Sequence, residues 1–399
     1  MASAYCARTK RAQSVPGHQA PGCLLQRVCL GHIRNRANRI GWNYPRFLFF
    51  VQIHSIVSGW CGVASGEDRR GKVPSAAAKD NLSISWMRKA LFLLLAPFLQ
   101  LTPAVAADLA FITSQNGNAV SILDLHSHEI IAQTPLDGAP APVAYDPRSR
   151  RAYVISADTG RLSVLDEQAR IINRKELGEG AFGIAVAPNG GVFVTDWFNG
   201  KLMRLDGELN QAWIAETGAA PAGVAVSNDG LLVATADRDD NQVSIFDSGT
   251  GRLIRRIETA GKHPFAVKFH DGRLWTADVM SDVVSVIDPI GGQLVGEVKT
   301  GSHPYGIAFT EGRGFVTNQY DSTLTVFDIK SLKVIGEVKV GDYPEGIATL
   351  PEGGGVVVAN WDSDTVTLVN AQTLEIIAEV EMPAGPRAFG QFTGRQVQP

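Results

Sequence analysis

Cysteine is confined to one end of this 399-residue chain: Cys6, Cys23, Cys29 and Cys61 are the four, and none follows. From residue 107 onward the chain therefore cannot build a disulfide, Cys-ligated zinc, thioether-attached haem or a cysteine nucleophile. The same region has no G-x-S-x-G elbow, no H-E-x-x-H and no Walker loop, so the common hydrolase, zinc-protease and nucleotide-binding signatures are missing. Quinone cofactors made from side chains have no support either. Positive charge is scarce there: 14 of the 37 Lys and Arg but only 3 of the 40 Asp and Glu precede residue 107, leaving 23 against 37, a balance of −14. Phosphates would be repelled overall, so nucleic acid is not an expected partner. The one local basic group, Arg252, Arg255 and Arg256, falls on an outer strand, where charge keeps a sheet edge soluble.

Long apolar runs are also lacking. From Met87 the chain reads MRKALFLLLAPFLQLTPAVAADLAF, with Arg88 and Lys89 followed by 12 mainly apolar residues, Ala90–Leu101, and small residues ending in AVAA. A membrane span needs about 20. The layout is that of a secretory signal peptide cleaved before Ala107 or Asp108. We therefore expect residues 87–107 to be a signal peptide and residues 1–86 an extension of the gene model or a disordered tail. An organellar transit segment fits poorly, because apolar FLFFV at Phe47–Val51 interrupts the Arg-rich stretch. The expected product is periplasmic or secreted, with no membrane span.

What is present after residue 107 is repetition. The phrases ITSQNGNAVSILD, VISADTGRLSVLD, VTDWFNGKLMRLD, ATADRDDNQVSIFD, TADVMSDVVSVID, VTNQYDSTLTVFD and VANWDSDTVTLVN close on Asp124, Asp166, Asp206, Asp247, Asp288, Asp328 and Asn370, at spacings of 42, 40, 41, 41, 40 and 42. Each holds two alternating apolar runs joined by a turn such as Asn116-Gly117 or Asn199-Gly200, the hairpin signal. A second phrase, typically led by Pro (Pro221, Pro264, Pro304, Pro344, Pro386), supplies a third strand of small residues. A fourth follows the closing Asp, as in Lys333–Val340. Four short strands in about 40 residues is the arithmetic of a propeller blade. The region starts on a second strand (Leu109–Thr113) and ends on a lone first strand (Arg387–Thr393). The fold expected over residues 108–399 is thus an all-β, seven-bladed β-propeller closed by pairing the C-terminal strand with the N-terminal blade, small-residue strands innermost.

FVTNQYDSTLTVFD (Phe315–Asp328) and VVANWDSDTVTLVN (Val357–Asn370), with looser copies in the other five repeats, resemble the YVTN-repeat β-propellers. The resemblance implies the architecture and, for function, exported binding proteins, surface-layer components or subunits of quinone-dependent amine dehydrogenases. The Trp361-Asp362 pair lies in a hairpin turn and is not a WD40 signature.

In a four-stranded meander, the loop into the first strand and the turn between the second and third strands emerge on the same face. Ten residues before each closing residue stand Ser114, Ser156, Asp196, Asp237, Asp278, Asn318 and Asn360. The lead-in loops add His263 and His303, and the turns add Trp197, Arg238, Tyr320 and Trp361. Carboxylate, imidazole and aromatic groups around a channel mouth suit a cation, an amine or a sugar. Each residue also has a structural reading: Asp or Asn can cap the turn, the His residues can pack, and the Trp residues can cover blade edges. DRDDN (Asp237, Asp239, Asn241) alternates oxygen ligands as a calcium loop does, but Gln242 and Ser248 stand where Gly and a bidentate acid are needed, which excludes an EF-hand. No cofactor is predicted; a looser site for calcium or another divalent cation stays open.

The function these features favour is an exported, non-catalytic, monomeric propeller that binds a small molecule or a periplasmic protein at the rim. The alternative is an enzyme or enzyme subunit: a metal-dependent lactonase-type hydrolase using the rim carboxylates and histidines, or the propeller partner of a quinoprotein dehydrogenase. Secretion makes a direct prediction. Intact mass measured on protein recovered from the periplasm should correspond to a chain starting at Ala107 or Asp108; a mass that retains residues 1–106 contradicts the signal-peptide reading.

Overall fold

The computed structural model describes residues 107–397; the segments expected to be an N-terminal extension and a signal peptide, up to residue 106, lie outside the described residues. Those described form seven four-stranded antiparallel sheets arranged as the blades of a propeller. Blade 6 shows the plan: Pro304–Thr310, Arg313–Asn318, Thr323–Asp328 and Val334–Lys339 run from the channel outward. The inner strands of blades 2 to 7 are Pro140–Asp146, Ala181–Val186, Pro221–Val226, Pro264–His270, Pro304–Thr310 and Pro344–Thr349. Among the described residues the only helical element is a single 3-10 turn, Arg238–Asp240, and no helix is long and apolar enough to cross a membrane.

The alternation read from sequence has its physical counterpart in burial. The two middle strands of each blade are almost wholly buried, as in Asp108–Ser114 and Val283–Asp288. The outermost strands expose alternate residues, as in Glu129–Pro135 and Ile376–Glu381. Aromatic and aliphatic side chains such as Phe193, Phe246, Phe315, Phe327 and Trp275 fill the spaces between blades. Each closing Asp or Asn pins its outer turn. Asp124 accepts from the N–H groups of His126 and Ser127 (2.8 and 3.0 Å), and Asn370 accepts from those of Gln372 and Thr373 (2.8 and 2.9 Å). This is a side-chain mimic of a backbone turn. It explains why the closing residue of every repeat is Asp or Asn.

Inner strands are small because neighbouring backbones nearly touch. A Cβ built on Gly346 would lie 2.2 Å from the carbonyl oxygen of Arg387, one on Gly306 would lie 2.6 Å from that of Glu345, and one on Gly223 would lie 2.5 Å from that of Phe265. In three places a threonine hydroxyl joins successive inner strands. Thr195 Oγ1 accepts from Gly183 N–H (2.7 Å) and donates to the Ala222 carbonyl of the next blade (2.9 Å). Thr317 does the same between Gly306 and Glu345, and Thr113 between Ala388 and Ala141. Hairpin turns provide a second tie: Asn118, Asn241 and Asp282, all at positive φ, accept from the lead-in N–H groups of Ala139, His263 and His303 in the following blade.

The ring closes as expected but by a different path. A continuous inner strand over Arg387–Thr393 is not formed. Thr393–Arg395 pairs with Asp108–Ala110, and Ser114 bridges Pro386. Between these points the chain leaves the first blade and turns toward the second, where Phe389 and Gln391 carbonyls accept from Val143 and Tyr145 N–H groups (2.9 and 2.8 Å). Gly390 permits the detour: its φ is 135°, and a Cβ there would meet the Val143 oxygen at 2.2 Å. Arg395 then clamps the N-terminal strand through both oxygens of Asp108 (2.8 and 3.1 Å).

Close approach of the inner strands predicts an asymmetry between glycines. Gly346→Ala should lower unfolding free energy in urea by roughly 1–3 kcal/mol, the cost of forcing a filled interior apart. Gly207→Ala, where nothing lies within 4 Å, should change it by less than about 0.5 kcal/mol. Equal effects would contradict the packing.

Candidate functional site

The lead-in loops and the turns between second and third strands do share one face. In every blade the N–H of a turn residue donates to a lead-in carbonyl, as in Gln115 to Gly385 (2.8 Å), Trp197 to Gly180 (2.7 Å), Val279 to His263 (3.1 Å) and Trp361 to Tyr343 (3.0 Å). All nine residues expected at the rim are on this face, but they divide into two groups.

The carboxylates are turned into their own blades. Asp237 accepts from the Thr235 and Ser244 hydroxyls and from Gly218 N–H. Asp278 repeats the pattern with Thr276, Ser285 and Gly261. Burial pushes the Asp237 carboxyl up and holds that of Asp278 at about 6, against the pull of those hydrogen bonds. Asp196 caps its turn, accepting from the N–H groups of Phe198 and Asn199 (3.1 and 3.0 Å). Asn318 and Asn360 occupy the same register and donate to threonine hydroxyls. These side chains fix where the rim loops stand. The DRDDN oxygens diverge in the same way: Asn241 Oδ1 accepts from His263 N–H, Asp240 from Ala219 N–H, and Asp239 pairs with Arg238.

The cationic and aromatic residues are brought together. The Arg238 guanidinium lies 5.4 Å from the Trp197 ring centre, a cation–π distance. His303 stacks on Tyr320 at 3.8 Å, Tyr320 meets Tyr343 at 5.7 Å, and Tyr343 meets Trp361 at 5.7 Å. Tyr320 is 60% exposed. Two nitrogens at this rim, His263 Nδ1 and Trp361 Nε1, are buried without a hydrogen-bond partner. Burial, helped by the Arg238 charge, lowers the His263 imidazole, which keeps it neutral near pH 7.

Beneath the rim lies a floor. The residue after each lead-in proline, or its equivalent, holds one register around the ring: Ala141, Phe182, Ala222, Phe265, Tyr305, Glu345 and Arg387. Phe182, Phe265 and Tyr305 pack with Phe389, the residue carried inward by the detour, at ring separations of 5.1–5.8 Å from it. Trp197 extends this cluster to the rim, 5.3 Å from Phe182. Glu345 and Arg387 form a buried ion pair at 2.5 Å. Arg387 also donates to the Tyr305 hydroxyl (2.6 Å) and to Gln115 (2.9 Å), and Gln319 donates to Glu345 (2.9 Å). Burial raises the Glu345 carboxyl and the Arg387 charge draws it back. Arg387, though burial opposes its charge, is held protonated by Glu345 and Tyr305.

Sequence reasoning missed this floor. Its signal was legible, however: beside the Gly, Ala and Val of the inner strands, the position after proline or its equivalent carries Phe, Tyr, Glu or Arg in five of the seven blades, at Phe182, Phe265, Tyr305, Glu345 and Arg387. Away from this face, Asp108, His126 and Glu352 are the three-ligand group among the described residues with metal-binding geometry, and Arg395 already sits on both carboxylates.

No family model matches the chain, and no curated protein matches its sequence. Solved structures do match its fold. A functionally unknown protein from Desulfotomaculum acetoxidans DSM 771 is 15% identical with a TM-score of 0.62, covering 72% of this chain and 99% of that one. Kuenenia stuttgartiensis hydrazine synthase is 18% identical with a TM-score of 0.59, over 66% and 92% of the two chains. The dihydro-heme d1 dehydrogenase NirN, solved in complex with DHE, is 17% identical with a TM-score of 0.54, over 70% and 74%. At these identities the likeness is one of propeller architecture, which hosts unrelated functions.

The elevated Asp278 carboxyl gives a signed pH dependence. Its folded value, about 6, exceeds the unfolded value of about 3.9, so its contribution to stability is full below about pH 4 and is lost as pH rises through about 6. Asp278→Asn, which copies Asn318 and Asn360, should remove that dependence. Wild type and variant should diverge by on the order of 2 kcal/mol between pH 4 and 7 in urea unfolding. Parallel pH profiles would contradict it.

Proposed function

We propose that the protein is an exported, non-catalytic binding propeller whose ligand sits on the lead-in face of the channel. The observation that carries this is the arc Trp197, Arg238, His263, His303, Tyr320, Tyr343 and Trp361, spread over neighbouring blades above a closed aromatic floor. Rigid rings with polar edges give contact area at low entropic cost, and buried polar atoms without partners ask for one. A ligand with an apolar face and hydroxyl or ammonium groups, such as a sugar or an amine, matches both features: rings stack on it, Trp361 Nε1 donates, and His263 Nδ1 accepts or donates.

The role of the carboxylates follows from their geometry. Asp237 and Asp278 spend their oxygens inside the blades, so they position loops, and contact with the ligand falls to the aromatic and imidazole groups. A fixed scaffold carrying a loop-borne site is the usual division of labour.

Tryptophan fluorescence titrated with a panel of mono- and disaccharides and of primary and quaternary amines tests the reading. One class should quench or shift the signal saturably. Tyr320→Ala combined with Trp361→Phe should weaken that response by about tenfold or more, roughly the loss of 1.4 kcal/mol, with unchanged melting temperature. A response that survives the double variant, or none from either class, contradicts it.

A further inference from the structure

Below the Phe389 floor the channel opens into a chamber of about 510 Å³, lined by the lower halves of the inner strands. Its walls are mostly apolar, with Ile184, Val224, Val267, Ile307 and Ile347 among them. Three charged side chains line it: Asp146, Arg148 and Lys268. Asp146 and Arg148 neutralise each other at 2.8 Å, and Arg148 is further occupied by the Ala187 and Pro188 carbonyls. His270 lines the adjoining recess with Lys268 and is stacked on Phe309 at 4.3 Å.

Lys268 stands out against its own repeat. Four residues after each lead-in position come Ala144, Ala185, Ala225, Lys268, Ala308, Ala348 and Gly390. The other six blades place alanine or glycine where blade 5 places an ammonium. Unlike the Arg148 guanidinium, it has no ion pair or hydrogen bond among the described residues. Burial alone, with no carboxylate to offset it, lowers its amine to about 8. Lys268 is half-buried, so its ammonium can be reached from the chamber, and an anion that enters can pair with it without displacing a protein partner. The chamber thus carries one unmatched positive charge inside an otherwise acidic domain.

We propose that this lower chamber binds a small organic monoanion, a carboxylate with an apolar body, whose charge pairs with Lys268. One ammonium matches one negative charge, and the aliphatic walls match a hydrocarbon or aromatic body. A phosphate dianion fits less well, because the cavity offers a single free cation and little else to donate. The site is separate from the rim, since Phe389 and its ring partners lie between.

Calorimetric titration of the purified full chain with sodium benzoate, benzyl alcohol and inorganic phosphate tests this. Benzoate should bind one to one, and benzyl alcohol, its neutral analogue, at least about tenfold more weakly. Lys268→Met should weaken benzoate by about tenfold or more, with its melting temperature at or above that of wild type. Lys268→Arg should restore most of the affinity, which shows that loss in the Met variant comes from charge rather than from misfolding. The rim double variant Tyr320→Ala, Trp361→Phe should bind benzoate as wild type does, so failure here and failure at the rim are distinguishable. The proposal is overturned by equal binding of benzoate and benzyl alcohol, by unchanged affinity in Lys268→Met, by preference for phosphate, or by no benzoate binding up to about 10 mM.

Discussion

The molecule depends on the contact between inner strands of adjacent blades. Gly223, Gly306 and Gly346 let one backbone reach the carbonyls of the next, and the Thr113, Thr195 and Thr317 hydroxyls tie the strands where they meet. Seven blades can close only if this spacing is kept around the whole ring. The geometry of the floor and of the lower chamber is set by it, because the residues that line them are borne by those same strands. A single added methyl acts on the circle as well as on one contact, since close-packed interiors transmit strain.

Closure is where the regular plan is broken, and the break makes the site. The C-terminal segment returns to the first blade at Pro386 and Thr393–Arg395 but swings toward the second blade between them. That excursion carries Phe389 into the channel and sets Arg387 against Glu345 and Tyr305. A buried ion pair of this kind contributes little net stability against an apolar alternative, but removal of one partner strands the other. Its value lies in fixing the floor: Arg387 reaches Gln115 of the first blade, Tyr305 of the sixth and Glu345 of the seventh. The first and last parts of the domain are thereby joined in the channel as well as at the sheet edge, where Arg395 holds Asp108.

Blade number, strand order and the shared face of loops and turns were all legible in the repeat, because period, alternation and turn residues are local properties. The rim residues were legible too, since a meander fixes which loops emerge together. What periodicity does not carry is the direction of a side chain at a strand end. Asp237 and Asp278 were candidates for a ligand, yet each is turned inward onto a hydroxyl pair, one two residues earlier in the sequence and one seven residues later. The detour at Phe389-Gly390 could not be foreseen from alternation, because it follows from the final segment serving two blades at once. Lys268 and the ring that ends at Arg387 were visible as departures from the repeat; reading each register for its exception, rather than for its consensus, exposes both.

Hydrogen–deuterium exchange of the inner-strand amides tests most directly whether the closing segment belongs to the same cooperative ring. The account predicts that peptides spanning Gly183–Val186, Gly306–Phe309 and Arg387–Arg395 exchange only through global unfolding, with one common free energy. Faster exchange of Arg387–Arg395 than of the other two would contradict it, and would mean that the ring, the floor and the lower chamber are not held by that closure.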